Sequence, residues 1–308
     1  MSDFEPTTSS ATLLVTGAGG QLGRALQSLR PDGVFLSKSD LDVTDDDAVI
    51  ATVERHRPGV IVHAAAWTSV DQAETHPLEA RRVNVAGTRS VLRAAADVDA
   101  LMVYPSTDYV FSGTARRPYV EDDTPEPLSM YGRTKLEGEQ SVAEYDRHVI
   151  VRSSWIFGDG DNFVRTILDA ARTKPELEVV ADQIGLPTYA VDLAKGILDL
   201  VDLGATGTFH LAGQGDPCSW AELAETAISA ALVAALLEQR PAVRAIRTEQ
   251  YRATRTDEVA PRPAFSALDC TKAAKLGVSL RRWREAVAEY VRSLPETENE
   301  PTPAPVEA

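Results

Sequence analysis

The chain is poor in cysteine: Cys218 and Cys270 are the only two in 308 residues. Two thiols cannot build a disulfide framework or a cysteine metal cluster, and the expectation is a pair of inert thiols in a reducing cytoplasm. His56, His63, His76, His148 and His210 show no metal-ligand spacing. No Ser-His-Asp set stands in a hydrolase context. The chain also lacks any apolar run long enough to predict a membrane helix. Met1 to Ser10 is acidic and has no apolar segment, which argues against a signal peptide. Bases are scarce, with 31 Lys and Arg against 46 Asp and Glu and a net charge of −15. Without the Glu-rich C-terminal stretch the body is still acidic. A nucleic-acid partner, which needs a basic patch, is therefore not expected.

What is present is an apolar fraction of 44%, ample for the core of one large domain or two modest ones. Buried-strand runs at Thr12 to Thr16, Val34 to Leu36, Gly59 to His63, Leu101 to Tyr104 and Val149 to Val151 alternate with helical stretches. Those helices run to about Leu29, to Arg57, from Leu78 to Ala96, and from Ser129 to about Tyr145. The rhythm predicts a parallel sheet with right-handed crossovers. After Ser153 it changes. Helices are expected at 162–172, 191–203 and 219–238, short strands at 177–180, 208–211 and 243–247, and a closing element at 280–293. The predicted fold is α/β: a doubly wound Rossmann sheet with a smaller mixed α/β substrate lobe. The expected layout is a disordered head (1–10), a dinucleotide-binding domain (11–154, completed by parts of 181–213) and a substrate lobe (155–294). A disordered Pro- and Glu-rich tail (295–308) follows.

Gly17, Gly20 and Gly23 form G-x-x-G-x-x-G between the first strand and helix. Such a turn lets a pyrophosphate approach the backbone at a positive helix end. At the second strand's end, Ser37 and Lys38 suit a ribose phosphate and Asp40 opposes one, so the cofactor signal is mixed. Asp42 and Val43 are placed to meet the adenine edge. Asp45, Asp46 and Asp47 read as complements to a helix dipole. Tyr131 and Lys135 lie four apart on one helix face, and Thr107 ends the strand before them. A phenol beside an ammonium is expected to have a lowered pKa, and with the Thr107 hydroxyl it could protonate a carbonyl being reduced.

These motifs resemble those of the extended short-chain dehydrogenases/reductases, and within them the dTDP-4-dehydrorhamnose reductase family. The resemblance covers about residues 12–290. It is carried by Gly20 to Gly23, Asp42 to Asp45, Ala64 to Glu74, Ser106 to Phe111, Tyr131 to Glu139, Arg152 to Trp155, Asn162-Phe163, Asp182 to Thr188 and Arg262-Pro263. It implies that Gly20, Gln21 and Leu22 cradle the cofactor pyrophosphate, and that Ala66, Trp67 and Thr68 line the nicotinamide side. Tyr131 would donate the proton, Lys135 would lower its pKa and hold the ribose, and Thr107 would tune it. Thr107, Asp108 and Trp155 would face the sugar, with Trp155 as a core aromatic the alternative. Asn162 and Arg262 would meet the substrate diphosphate.

The implied reaction is NAD(P)H-dependent reduction of a 4-keto nucleotide sugar, with NADPH or NADH as cofactor and the balance toward NADPH. The implied partner is a dTDP-sugar, and the chain would be a monomer or homodimer. Family members that bind Mg²⁺ use glutamates near the C-terminus; here Mg²⁺ is possible, but no cluster can be assigned, and Glu285 and Glu289 read as an exposed pair. Two departures matter. Related dehydratases carry Asp-Glu after the Thr, whereas Asp108 is followed by Tyr109, which argues against elimination. Pro105 replaces the usual His or Tyr. The alternatives are another nucleotide-sugar ketoreductase or epimerase, and a noncatalytic reductase-like binding subunit.

Overall fold

The computed structural model describes residues 12–256 and 259–295. The head and the tail beyond Pro295 lie outside these residues. Six parallel strands form the central sheet: β1 (Leu13–Thr16), β2 (Val34–Leu36), β3 (Val60–His63), β4 (Leu101–Thr107), β5 (His148–Ser153) and the strand Gly207–His210. Their spatial order is Gly207–His210, β5, β4, β3, β1, β2. This is the doubly wound arrangement expected from the alternating strands and helices. The order reverses between β1 and β3, and ligands bind at such a switch point, beyond the carboxyl ends of the strands.

Both faces of the sheet are covered, which is why its strands are almost continuously apolar. Leu13 and Val15 of β1 point toward α1 (Gln21–Leu29), packing with Leu22, Leu26, Leu193 and Ile197. Leu14 points the other way, among Val49, Val53, Val91, Met102 and Ile150. α2 (Asp46–His56) supplies Val49 and Val53 on that side. Its N-cap is Asp45, whose carboxylate accepts from Ala48 N at 3.0 Å, and Asp46 and Asp47 fill its first turn, as a helix dipole favours.

The helix expected over Leu78 to Ala96 runs without a gap from Pro77 to Asp97, but its winding changes on the way. After α3 (Val70–Thr75) come α4 (Pro77–Arg81), a π-helical stretch Arg82–Gly87 and α5 (Thr88–Asp97). The π stretch presents Asn84, which is 1% exposed. Its side-chain oxygen accepts from Trp67 N at 2.8 Å, and its amide nitrogen donates to Trp67 O at 3.2 Å. The same nitrogen donates to Thr134 Oγ1 at 2.9 Å. These bonds need a neighbouring loop and helix, so no local pattern announces them. α6 (Met130–Ala143) begins at Ser129, whose hydroxyl caps Gly132 N at 3.1 Å.

A second apolar cluster lies outside the sheet. α7 (Phe163–Thr173), α9 (Trp220–Val233) and the helix Trp283–Ser293 bury Leu168, Ile228, Trp283 and Val287 together with Phe111, Phe157 and Leu177. Strands Glu176–Val180 and Ala242–Ile246 pair in parallel beside them. α9 ends at Val233 rather than near residue 238, and Ala235 turns to φ +58°. Between α7 and α9 in the chain, α8 (Ala190–Asp202) returns to the sheet and packs on α1. No helix among the described residues is long and apolar enough to cross a membrane.

Candidate active site

A cleft of about 830 Å³ opens at the carboxyl ends of the strands, between the sheet and the second cluster. Gly17, Gly20, Gln21, Leu22 and Gly23 line one end. Gly17 has φ +71°, and a Cβ there would come within 2.5 Å of Ala65 N. At Gly23 a Cβ would strike Ala18 and the Gly17 carbonyl at 2.5 Å, so α1 can press on the turn only through glycine. Gly20 caps α1 without a side chain over its first N–H groups. Gln21 Oε1 is buried with no partner, as are Ser106 Oγ and Ser153 Oγ, which also line the cleft. An unmasked helix end and unsatisfied polar atoms fit a pyrophosphate and sugar hydroxyls.

The strand-end trio meets at the middle of the cleft. Thr107, 6% exposed, ends β4 and caps a short turn, its hydroxyl accepting from Tyr109 N at 3.1 Å. It lies close enough to the Tyr131 phenol to favour the ionised form. Tyr131 is half-buried, and its carbonyl accepts from Thr134 Oγ1 at 2.9 Å. Asn84 therefore ties the loop carrying Trp67 to the helix that carries Tyr131. Lys135 is 3% exposed; its ammonium donates to the Pro105 carbonyl at 2.8 Å and lies 3.9 Å over the Tyr104 ring. Pro105 is tolerated because β3–β4 pairing ends at Val103, so no partner strand needs the missing N–H on that side.

The electrostatics correct one expectation. The Tyr131 phenol is not lowered by Lys135 in this structure. Burial raises it, the nearby Asp108 and Tyr109 add to the rise, and only the Thr107 hydroxyl opposes it. Burial also pulls Lys135 down to about 7, with Glu139 opposing. Loss of hydration outweighs the mutual influence of two groups whose polar atoms point to different partners.

The remaining site residues divide. Ala66, Thr68, Thr107, Asp108, Trp155 and Arg262 line the cleft. Asp108 is 2% exposed, accepts from Ser266 Oγ and Thr107 Oγ1, and is pushed up to about 7 by burial. Trp155 does both things weighed for it: it lines the cleft and stacks on Trp220, ring centroids 3.6 Å apart. Arg262 holds Asp71 through two bonds of 2.9 and 3.0 Å, and the same carboxylate accepts from Ala260 N. Its guanidinium is thus already committed to a carboxylate at the cleft wall.

Asn162 is a correction. It lies outside the cleft lining and caps α7 through Arg165 N at 3.1 Å. Its amide donates to Gly158 O, Gly160 O and Tyr290 Oη. A side chain so fully bonded has nothing left for a diphosphate. Trp67 also lies outside the lining, its indole N–H on Ser69 O and its ring on His76; Ala66 and Thr68 flank it inside. Asp42 and Val43 are likewise outside: Asp42 bonds Thr44, and Val43 is buried against Gly87. Near the second strand's end, Ser37 N and Oγ hold the Asp40 carboxylate.

Some cleft residues were not singled out from the sequence. Trp220 completes the aromatic stack, and Gln183 receives its indole N–H at 3.1 Å while donating to Thr248 Oγ1 at 3.0 Å. Gln183 lies inside the stretch Asp182 to Thr188 that carries the resemblance, and Gly185 in that stretch was a further signal, since a Cβ there would meet the Trp155 indole at 2.5 Å. Among the described residues no group of three or more His, Cys, Asp or Glu could hold a metal, and Glu289 is paired with Arg281.

A doubly wound sheet, a glycine turn under a helix end and a Thr, Tyr and Lys meeting at the strand ends define an extended short-chain dehydrogenase/reductase. Comparison with known proteins narrows this. A family described as "RmlD substrate binding domain" matches residues 11–295. A dTDP-4-dehydrorhamnose reductase of Aggregatibacter actinomycetemcomitans is 40% identical over 292 residues, covering 90% of this chain and 97% of the relative. A dTDP-4-keto-6-deoxy-D-glucose reductase of Streptomyces niveus is 44% identical over 68% of this chain and 75% of its own. The crystal structure of a dTDP-4-dehydrorhamnose reductase from Bacillus anthracis, in complex with NADP, superposes with a TM-score of 0.84 at 36% identity. That match covers 91% of this chain and 98% of the other. The chain belongs to the dTDP-4-dehydrorhamnose reductase family.

Proposed function

We propose that the protein reduces the 4-keto group of dTDP-4-dehydro-6-deoxy-L-mannose to give dTDP-L-rhamnose, using NADPH or NADH. The observation that carries this is the convergence of the glycine turn, Thr107, Tyr131 and Lys135 on one cleft, with Tyr109 where a dehydratase needs a carboxylate. The reduced nicotinamide, when bound, supplies the hydride. Gly20, Gln21 and Leu22 would hold its pyrophosphate, and Ala66 and Thr68 would flank the nicotinamide. The unpartnered hydroxyls of Ser106 and Ser153 add hydrogen-bonding capacity beside them.

Tyr131 gives its phenolic proton to the oxygen formed at C4. Its raised pKa keeps that proton in place through neutral pH, ready for donation. Thr107 orients the phenol. Lys135, its ammonium on the Pro105 carbonyl beside the cleft, would hold the nicotinamide ribose, and solvent restores the Tyr131 proton. Trp155 and Asp108 form the sugar side of the cleft. Arg262, held by Asp71, braces the opposite wall rather than reaching out as a mobile phosphate clamp. The division into a dinucleotide-binding part (11–154, with parts of 181–213) and a substrate lobe (155–294) belongs to the same proposal. So do a cytoplasmic setting and a monomeric or homodimeric state.

The test is NAD(P)H oxidation by the purified protein with the enzymatically generated 4-keto sugar, beside Tyr131→Phe. Oxidation by the wild type and a loss of about 10²-fold or more in the variant is the expected result. If the folded wild type oxidises cofactor only with the D-gluco 4-keto sugar, the substrate named in the Streptomyces relative replaces the proposed one. If it turns over neither sugar, the reductase reading fails.

A further inference from the structure

The Thr107 hydroxyl has one proton to give, and in this structure that proton points away from the reacting centre. Thr107 Oγ1 donates to Asp108 Oδ1 at 3.1 Å and accepts from Tyr109 N at 3.1 Å. A hydroxyl has one donor and two acceptor sites, so a single lone pair is left over. That lone pair can only receive, and a Tyr131 phenol turned to it would aim its own proton at Thr107 rather than into the cleft. The other Asp108 oxygen, Oδ2, accepts from Ser266 Oγ. Ser266 is 1% exposed, and its backbone N–H is fixed on the Ile184 carbonyl at 2.8 Å. The Asp108 carboxylate is thus held from both sides at the lining of the cleft.

One proton added to Asp108 reverses the chain. Ser266 already donates to Oδ2, so the new proton sits on Oδ1 and is shared with Thr107. Both Thr107 lone pairs are then filled, by Asp108 and by Tyr109 N, and its own proton is released toward the Tyr131 oxygen. The phenol receives there and keeps its proton for the substrate. The groups facing the carboxyl are Thr107 and Tyr109 on its own segment, Tyr131 on α6 and Ser266. The charged Arg262 and Asp71 act on the Tyr109 phenol, and the Lys135 ammonium is turned to the Pro105 carbonyl. Hydrogen bonds alone oppose the burial, which pushes Asp108 up to about 7.

We propose that Asp108 is a positioning residue that sets the direction of the Thr107 hydroxyl, and that its protonated form is the one that leaves the Tyr131 proton aimed at the substrate oxygen. The role is separate from any contact with the sugar and acts through Thr107, one hydrogen bond away. It rests on the reduction proposed above. Ser266 sets the balance, because a hydroxyl donating to a carboxylate favours the ionised form.

The first test needs no turnover. Protein labelled with carbon-13 at its aspartate carboxyls is titrated by NMR, and the Asp108 signal is assigned by its loss in Asp108→Asn. Taking one donor from the ionised carboxylate raises its midpoint by about 1 pH unit, in Thr107→Val and in Ser266→Ala alike. An unmoved midpoint in Thr107→Val means that the Thr107 proton is not spent on Asp108, and overturns the proposal. The second test is the rate of hydride transfer in a single turnover, followed against pH. The competent form is present below the Asp108 midpoint and lost above it, so for a midpoint near 7 the wild-type rate falls about tenfold between pH 6 and pH 8. In Ser266→Ala that limb moves up by about 1 pH unit. In Asp108→Asn the amide nitrogen donates to Thr107 while the oxygen accepts from Ser266, and the limb disappears. A rate lowered equally at every pH, or a limb that stays in place in both variants, overturns the proposal. A wild type inactive toward both 4-keto sugars would overturn the reductase reading and leave the NMR result to decide the direction of the Thr107 bond.

Discussion

His210 should make the fold lose stability in acid, and a single substitution should remove that loss. The ring is fully buried at the end of the strand Gly207–His210. Its Nδ1 donates to the Tyr119 carbonyl at 3.0 Å, so the neutral ring carries its proton there. Nε2 is buried without a partner. A second proton would lie near the Arg152 guanidinium, and the backbone and charge of Asp269, which favour it, do not make up for the lost hydration. Burial first, then Arg152, depresses the pKa to about 3. The unfolded histidine takes its proton at about 6.5. Because the folded value is the lower one, the unfolded state binds more protons between those limits, and stability falls as pH drops below about 6.5. At pH 5 the loss is about 2 kcal/mol.

His210→Asn keeps a side-chain N–H for Tyr119 and removes the titration. It forfeits packing against Phe111, so about 1–2 kcal/mol is lost at pH 7. Urea unfolding at pH 7 and pH 5 then separates the two effects. The wild type should lose about 2 kcal/mol more than the variant between these pH values. His63, also depressed to about 3, and Asp108, raised to about 7 and hence opposite in sign, are present in both proteins and cancel. Equal losses in the two proteins would refute the reasoning.

Asn162→Ala tests the corrected role of that residue: about 1 kcal/mol or more of stability should go with the α7 cap, while the KM for the nucleotide sugar stays within about twofold. Urea midpoints and initial rates report the two quantities, and a tenfold rise in KM would restore the diphosphate contact. Glu74→Ala should also cost about 1 kcal/mol, because the Glu74 carboxylate accepts from Met130 N at 2.7 Å and caps the helix that carries Tyr131. A drop in kcat with cofactor affinity unchanged, read by titrating NADPH fluorescence, should accompany it.

The central sheet was legible because each strand is a short apolar run and each crossover a helical period. Gly17 and Gly23 were legible because only glycine fits those contacts. The Thr107, Tyr131 and Lys135 trio could be read because two members share a helix face and the third ends a neighbouring strand. What was hidden depends on partners far along the chain. Asn162 looks the same in sequence whether it meets a ligand or caps a helix; the Tyr290 hydroxyl, 128 residues away, helps to decide. Arg262 is committed by Asp71, 191 residues distant. The direction of the Tyr131 shift turned on the hydration its phenol loses inside the cleft, which spacing does not encode. The π-helical stretch before α5 holds Asn84, whose three side-chain bonds all leave its own segment, so the local helical period carries no sign of it.

The strand Gly207–His210 has a bearing on how this chain could be recombined with its relatives. It closes the sheet edge at β5, and α8 just before it covers Leu22 and Leu26 of α1. A crossover placed at residue 154 would strip a strand and a helix from the cofactor half. Val149 and Val151 would lose their cover, and β5 would present a bare edge open to association. A chimera meant to exchange sugar preference while keeping the nucleotide site would instead need two junctions, so that residues 190–210 travel with the first half. The unit of inheritance in such an exchange is the layer, not the continuous stretch of sequence.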